Sequence, residues 1–351
     1  MENKDIIVYG AYGYTGELIV RKCQELGIKP LLSGRNEGKL KPIAYKYGFP
    51  YQVADLKADD LDKLLSGGKV VIHAAGPFIH TSKPMVEACI RNKVHYTDIT
   101  GEIAVFAQAR KYDEQAKEAG VMVLPGTGFD VVPSDCLAAH MKSRMEDADD
   151  LVLAFYGTGR ASRGTSLTVV EGLGYGGTIR KDGKLKQVPD AYDVKRFDFG
   201  PKNMTAVTIP WGDVYTAFFS TGIPNIKVYM GLPKKAIDGM KWGKWFGWLM
   251  RTEFVKNKAR AKIIAGQAGP TDEQRAKAAT YLVGTVTDKS GKSITSTIQT
   301  QEGYTLTAMT AVHIAQQILR GNFKAGWQTP SLVYGKDLIC EVSGSQFEDV
   351  D

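Results

Sequence analysis

Metal-binding and disulfide patterns are missing from this sequence. Its four cysteines, Cys23, Cys89, Cys136 and Cys340, lie far apart, and no CxxC or Cys/His pairing occurs. That excludes a disulfide framework and a structural zinc site, and fits thiols kept reduced in the cytoplasm. The five histidines, His73, His80, His95, His140 and His313, lack ligand spacing, so no metal is expected. No apolar run reaches membrane-spanning length. The first residues lack the charged-then-apolar layout of a signal peptide, and no internal repeat is evident. Lys and Arg number 45 against 38 Asp and Glu, a formal net charge of +7. The basic residues read as dispersed through Lys-rich helices and loops. A nucleic-acid partner needs a clustered stripe with interleaved aromatics, so none is expected. A basic face suits an anionic cofactor or an acidic membrane surface.

What is present begins at Gly10-Ala-Tyr12-Gly13-Tyr14-Thr15-Gly16, between the apolar run Ile6–Tyr9 and a helical pattern from Glu17 to Gly27. Strand, tight glycine turn and helix in that order bring bare backbone N–H groups and the positive end of a helix dipole to one point, which suits a pyrophosphate. The G-x-x-G-x-x-G spacing is a variant of the dinucleotide fingerprint. Further strands are expected at 31–33, 51–54, 70–75, 94–98 and 121–124, with helical patterns between most of them and Pro84 in the first turn of one. This alternation predicts a Rossmann-type, doubly wound parallel sheet over residues 1–135. From about residue 150 the pattern changes to strands with few helices: 151–158, 205–210, 214–221, 226–231 and 281–287. Asp182-Gly183 and Ser290-Gly291 read as hairpin turns. Residues 136–304 are therefore expected to form an inserted, mainly antiparallel α+β domain for substrate or dimerisation. A helix at 307–319 and the tail, 305–351, are expected to return to the first domain.

Strand two ends Ser33-Gly34-Arg35-Asn36, with no acid to bind a ribose 2′-hydroxyl. A carboxylate there would repel a 2′-phosphate, whereas a guanidinium grips one. The cofactor reading is NADP(H), with Ser33 and Asn36 adding hydrogen bonds. Strand four ends Ala75-Gly76-Pro77-Phe78, where small residues admit the cofactor and Phe78 is placed against the nicotinamide or the substrate.

Strand five continues His95-Tyr96-Thr97-Asp98-Ile-Thr-Gly101-Glu102. Strand six ends Gly128-Phe129-Asp130-Val-Val-Pro133-Ser134-Asp135. With the glycine loop, Ala-Gly-Pro-Phe, Arg196-Phe-Asp198-Phe-Gly200, Pro210-Trp211-Gly212-Asp213 and Gly269-Pro270-Thr-Asp-Glu-Gln-Arg275, these motifs make the chain resemble the saccharopine-dehydrogenase-like oxidoreductases. The resemblance is to the branch that includes trans-acting enoyl reductases, and it covers nearly the whole chain. It implies a Rossmann domain, an inserted domain and NADP-dependent hydride transfer, and it leaves the substrate open. Hydride reduction needs a nearby proton donor. Tyr96, Asp98 and Asp130 lie at or just beyond strand ends that border the nicotinamide, and each is a candidate. Glu102, Phe129, Asp135, Arg163 and Trp211 are candidate substrate contacts. Asp98 and Asp135 have structural alternatives, as a loop organiser and a helix cap, and Trp211 has simple packing.

Lys241-Trp242-Gly-Lys-Trp245-Phe246-Gly-Trp248-Leu249-Met-Arg251 gathers three of the five tryptophans among basic residues. If helical, Trp242, Trp245, Phe246 and Leu249 share a face. This suits core or dimer packing, or a peripheral bilayer contact through Trp242–Arg251. The leading functional reading is an NADP(H)-dependent reductase of a C=C (enoyl-type) or C=N bond in a small apolar or lipid-like substrate, in a cytoplasmic homodimer. The alternatives are a saccharopine-type dehydrogenase acting on C–N bonds and a non-catalytic NADP-binding scaffold at a membrane.

Overall fold

The computed structural model describes residues 4–243 and 246–350. Seven strands form the first sheet: β1 (Ile6–Tyr9), β2 (Leu31–Gly34), β3 (Tyr51–Val53), β4 (Val70–His73), β5 (His95–Asp98), β6 (Met122–Leu124) and a late β15 introduced below. The helices between them are α1 (Tyr14–Glu25), α2 (Glu37–Tyr47), α3 (Ala58–Leu65), α4 (Phe78–Asn92), α5 (Ile103–Arg110) and α6 (Asp113–Ala119). The sheet order is β15-β6-β5-β4-β1-β2-β3 and every pairing is parallel. β1, β2 and β4 are buried along their whole length, because crossover helices cover both faces of such a sheet. α1 turns Leu18, Ile19 and Cys23 inward, and α3 turns Leu61, Leu64 and Leu65 inward. The strand order reverses between β1 and β4, and all the parallel strands deliver their C-terminal loops to one edge.

The second part of the chain runs α7 (Val132–Arg144), β7 (Asp150–Gly157), α8 (Arg163–Glu171), β8 (Gly177–Lys181), β9 (Lys184–Val188), β10 (Val194–Asp198), β11 (Asn203–Thr208), α9 (Asp213–Thr221), β12 (Asn225–Gly231), α10 (Lys234–Gly243), α11 (Gly247–Met250), α12 (Glu253–Ala265), α13 (Asp272–Ala276), β13 (Ala279–Thr287) and β14 (Ser293–Gln301). The chain ends with α14 (Gly303–Leu319), β15 (Gly326–Trp327), α15 (Pro330–Tyr334), α16 (Leu338–Ser343) and β16 (Phe347–Asp349). The second sheet has the order β10-β11-β12-β7-β13-β14-β16, with β8 on β12 and β9 on β8. Its pairings are antiparallel except β7 with β12. Leu137 and Met141 of α7 pack where a side chain at Gly284 would stand, so α7 covers one face of this sheet.

Two compact units result: residues 1–132 with 304–333, and 133–303 with 334–351. Several expectations are corrected. Residues 334–351 join the second unit, because β16 pairs with β14 and Asp349 accepts from His140 and Ser296. Residues 214–221 are helical. The run looks strand-like in its aromatic and β-branched content, but Asp213 enters the first turn and Gly222 (φ +73°) closes the last. Helices are also frequent between the second-unit strands. Pro84 lies inside α4, whose first amide, Phe78 N–H, is instead taken up by the Glu102 carboxylate at 3.1 Å. The reading of Trp242, Trp245, Phe246 and Leu249 as one helix face falls partly on residues outside the described ones; α11 begins at Gly247. Residues 244–245 and the side chains of Trp242 and Trp245 lie outside the described residues.

Candidate functional site

The glycine loop folds as a tight turn. Gly10 takes φ +88° and lies where a Cβ would be 2.8 Å from the Ala75 nitrogen. Gly10 and Ala11 N–H both donate to Ser33 O, at 2.8 and 3.2 Å, and Gly13 N–H donates to Gly10 O at 2.9 Å. Gly16 lets α1 rest on the loop, for its Cβ would fall 2.1 Å from Gly10 O. No side chain caps α1 at Gly13, so the positive end of its dipole faces the loop unmasked. Thr15 is half-buried in the first turn, and the Tyr14 ring meets Tyr304 of α14 edge-on at 5.1 Å.

At the end of β2 the predicted residues divide. Arg35 is exposed, and the Tyr12 ring lies over Gly34, where a Cβ would come within 2.5 Å of it. Ser33 is buried, and its hydroxyl donates to Gln52 O of β3 at 2.8 Å. The Asn36 side-chain oxygen accepts from Lys39 N–H and caps α2.

At the end of β4, Ala75 is half-buried, Gly76 is exposed and the Gly76–Pro77 peptide is cis. Phe78 is turned inward rather than toward the rim, its ring edge-on to the buried His73 at 5.5 Å. Thr81 Oγ1 donates to Ala75 O at 2.7 Å and lies 3.0 Å from His73 Nε2. The single hydroxyl proton is thereby used, so His73 carries its own proton on Nε2 and donates to Thr81. Burial pushes the His73 imidazole down to about 3. The native state therefore binds fewer protons than the unfolded chain between about 3 and the ordinary histidine value. Stability is complete above that value and is lost as pH falls toward 3. His73→Gln, which keeps a donor for Thr81, is expected to flatten this acid limb in thermal melts taken from neutral pH to pH 4.

At β5 and β6, Tyr96 and Asp98 are both fully buried. The Tyr96 hydroxyl donates to Asp98 Oδ2 at 2.6 Å, while Thr100 and Gly126 N–H donate to Oδ1 at 3.0 and 2.9 Å. Desolvation raises the Asp98 carboxyl to about 6 against these bonds, and raises the Tyr96 phenol well above its ordinary value. Both side chains are spent on joining the two loops, so neither presents a proton at the rim. Asp130 differs. It is half-buried, beside Gly101, where a Cβ would lie 2.8 Å from Oδ2. Burial, and then the Glu102 charge, push its carboxyl up to about 7. Phe129 N–H donates to Thr307 Oγ1 of α14 at 3.0 Å, and Thr310 Oγ1 donates to Thr127 O at 2.7 Å. These two α14 threonines, which the sequence reading did not single out, fix the β6 loop.

A continuous rim follows: Gly10 against Ala75, Phe78 N–H on Glu102, and Gly101 against Asp130. Three other candidates belong to the second unit. Asp135, in the first turn of α7, accepts from Ser220 Oγ at 2.6 Å, a bond between side chains of two helices rather than a cap. Arg163 donates to Gly266 O at 2.7 Å and so binds the C-terminal end of α12. Trp211 packs on Phe155 with ring centroids 4.7 Å apart. Among the described residues no three His, Cys, Asp or Glu side chains gather for a metal ion.

Comparison with known proteins bears on this rim. Residues 6–124 match the family model of the saccharopine dehydrogenase NADP binding domain. Over 248 residues the chain is 29% identical to a lipid droplet localized protein of Caenorhabditis elegans, covering 60% of this chain and 57% of that protein. It is 27% identical to a saccharopine dehydrogenase-like oxidoreductase of Mus musculus, covering 50% of this chain and 47% of the relative. It is 28% identical to a trans-acting enoyl reductase of Mycobacterium ulcerans, covering 48% and 44%. The chain thus spans about half the length of the curated relatives it matches. In fold it is similar to saccharopine dehydrogenase (L-Glu forming) of Saccharomyces cerevisiae, with a TM-score of 0.72, 13% identity and coverage of 99% and 100%. Residues 6–124 carry a saccharopine-dehydrogenase-type NADP-binding domain, in a chain similar to the saccharopine-dehydrogenase-like oxidoreductases.

Proposed function

We propose that this chain is an NADPH-dependent reductase of a C=C (enoyl-type) or C=N bond in a small, apolar or lipid-like substrate, with Asp130 as the proton donor. The observation that carries this reading is the half-buried Asp130, raised to about 7 on the rim that begins at the glycine loop. A carboxylic acid protonated near neutrality is a fitting general acid. Bound NADPH supplies the hydride. In this reading the uncapped first turn of α1, brought close by Gly10, Gly13 and Gly16, receives the pyrophosphate, Arg35 holds the 2′-phosphate with Tyr12 beside it, and Ala75 and Gly76 let the cofactor lie against the β4 loop. Glu102 orients Phe78 N–H and raises Asp130. Tyr96 and Asp98 act by positioning the loops.

An apolar substrate is favoured by the fate of the arginines. A substrate with several carboxylates wants convergent guanidinium groups, whereas Arg163 holds Gly266 O and Arg160 donates to Gln267. The names of two relatives, an enoyl reductase and a lipid droplet protein, support the same choice. The reading also has the chain working as a cytoplasmic homodimer, beside a lipid phase that holds its substrate. Free cysteines support a reducing compartment. The half-exposed Tyr156, Phe197 and Tyr281 on one face of the second sheet support cover by a second copy.

Arg35→Asp tests the cofactor assignment. A guanidinium replaced by a carboxylate loses its charge-assisted bonds and repels the 2′-phosphate. NADPH affinity is expected to fall by at least about a hundredfold while NADH affinity holds or improves, as read by fluorescence titration. Equal effects on both cofactors would overturn it.

A further inference from the structure

The basic excess of this protein has an address. From Lys234 to Ile264 the sequence holds nine Lys and Arg against two acids, Asp238 and Glu253, an excess of seven. That equals the formal net charge of the whole chain, +7. All the remaining residues together are neutral, so the charge is not dispersed.

The same region exposes apolar side chains. Of the fourteen large hydrophobic residues that stand exposed among the described residues, seven are Val169, Tyr175, Phe246, Trp248, Leu249, Phe254 and Ile264. Trp248 is 70% and Phe254 78% exposed. They belong to one local assembly. Arg251 donates to Gly174 O at 2.7 Å, Lys256 to Glu171 O at 3.1 Å, and Arg260 pairs with Glu171 at 2.8 Å. These bonds tie α8 and its following turn to α11 and α12. On α12 the 3.6-residue repeat places Phe254, Lys258, Ala261, Lys262 and Ala265 along one outward side, opposite Lys256 and Ile263. Lys258 and Lys262 are exposed and form no ion pair among the described residues.

We propose that the α8–α11–α12 assembly is a docking surface for an anionic lipid surface. Aromatic side chains set among basic ones match the acyl–headgroup boundary: rings and aliphatic groups enter it, and lysine stems extend so that their ammonium groups reach lipid phosphates. The exposed aliphatic side chains Val169, Leu249 and Ile264 favour lipid, which takes them up, over nucleic acid, whose bases would use only the aromatic rings of the patch. No helix among the described residues is long and apolar enough to cross a membrane, so the contact is peripheral. The proposal gives the lipid-phase part of the proposed function its surface. It is tested by binding rather than turnover, so either can fail without the other.

The full chain is sedimented with phosphatidylcholine vesicles, with and without phosphatidylglycerol, at low and high salt. Binding is expected only to the anionic vesicles, and is expected to weaken as salt rises. The pair Lys258→Glu and Lys262→Glu, and separately the pair Trp248→Ser and Phe254→Ser, are each expected to weaken it by at least about tenfold. These residues are exposed, so unchanged thermal melts are expected to show intact folding. No binding by the wild type, full binding by both pairs, or capture of an oligonucleotide in preference to the vesicles would overturn the proposal. So would a change of oligomeric state in place of lipid release.

Discussion

Asp130→Asn is expected to lower the rate of NADPH-dependent reduction by at least about a hundredfold, the usual contribution of a positioned general acid, with NADPH affinity unchanged. The reason lies in the environment of the carboxyl. Burial first, and the Glu102 charge second, hold it near 7 instead of in the ordinary carboxylate range. The wild-type profile of kcat/KM is therefore expected to be flat below about pH 7 and to fall above it as the proton is lost. Glu102→Gln removes the like charge but keeps an acceptor for Phe78 N–H, and is expected to move that fall to lower pH. Stability separates this role from a structural one. A carboxyl raised in the folded state binds a proton that the unfolded chain has already released. Stability therefore declines as pH rises from the ordinary carboxylate range through about 7, and stays reduced above it. Asparagine removes that penalty. Activity is expected to fall while the melting temperature at pH 8 holds or rises. An Asp130→Asn enzyme with full turnover, or one that loses activity only because it melts early, would remove Asp130 from the chemistry.

The parallel sheet was legible because its signals are local. Buried parallel strands are short apolar runs, and the loop after β1 needs glycine at particular positions. The second unit was harder. Residues 214–221 look like a strand by composition, and their helix rests on Asp213 at one end, Gly222 at the other and Ser134 from a distant helix, whose hydroxyl donates to Asp213 at 2.8 Å. The candidate site shows the same divide. The motifs place Tyr96, Asp98 and Asp130 at strand ends, and sequence carries that far. What it does not carry is which way each carboxyl turns. Asp98 is enclosed because Gly126, 28 residues on, donates to it. The Ser33 hydroxyl donates to Gln52 O of β3, and Asn36 accepts from Lys39 N–H at the start of its own helix. The basic address of residues 234–264 was legible throughout but hidden by averaging charge over the whole chain.

Gly16→Val is expected to abolish measurable NADPH binding and to lower thermal stability, and the two losses share a cause. The Cβ of any residue at position 16 would stand 2.1 Å from Gly10 O, 2.9 Å from Gly10 C and 3.1 Å from Ala11 Cα. All three are backbone atoms, held by the Gly10 and Ala11 bonds to Ser33 O, so no side chain can rotate away to make room. Relief comes only from lifting the N-terminal turn of α1 off the loop. That breaks the alignment of loop amides and helix dipole on which pyrophosphate binding depends. It also loosens the packing of Leu18 and Ile19 on the sheet, so a loss of about 2–4 kcal/mol is expected, in the range of overpacked and strained core sites. Gly13→Ala is the graded control. Its Cβ would meet the same carbonyl at 3.2 Å, a contact that a shift of a few tenths of an ångström relieves. It is expected to weaken NADPH far less and to leave the melt close to wild type. Isothermal titration of the two variants beside their melting curves checks the order. A Gly16→Val protein that binds NADPH as well as Gly13→Ala would show that the loop does not receive the pyrophosphate.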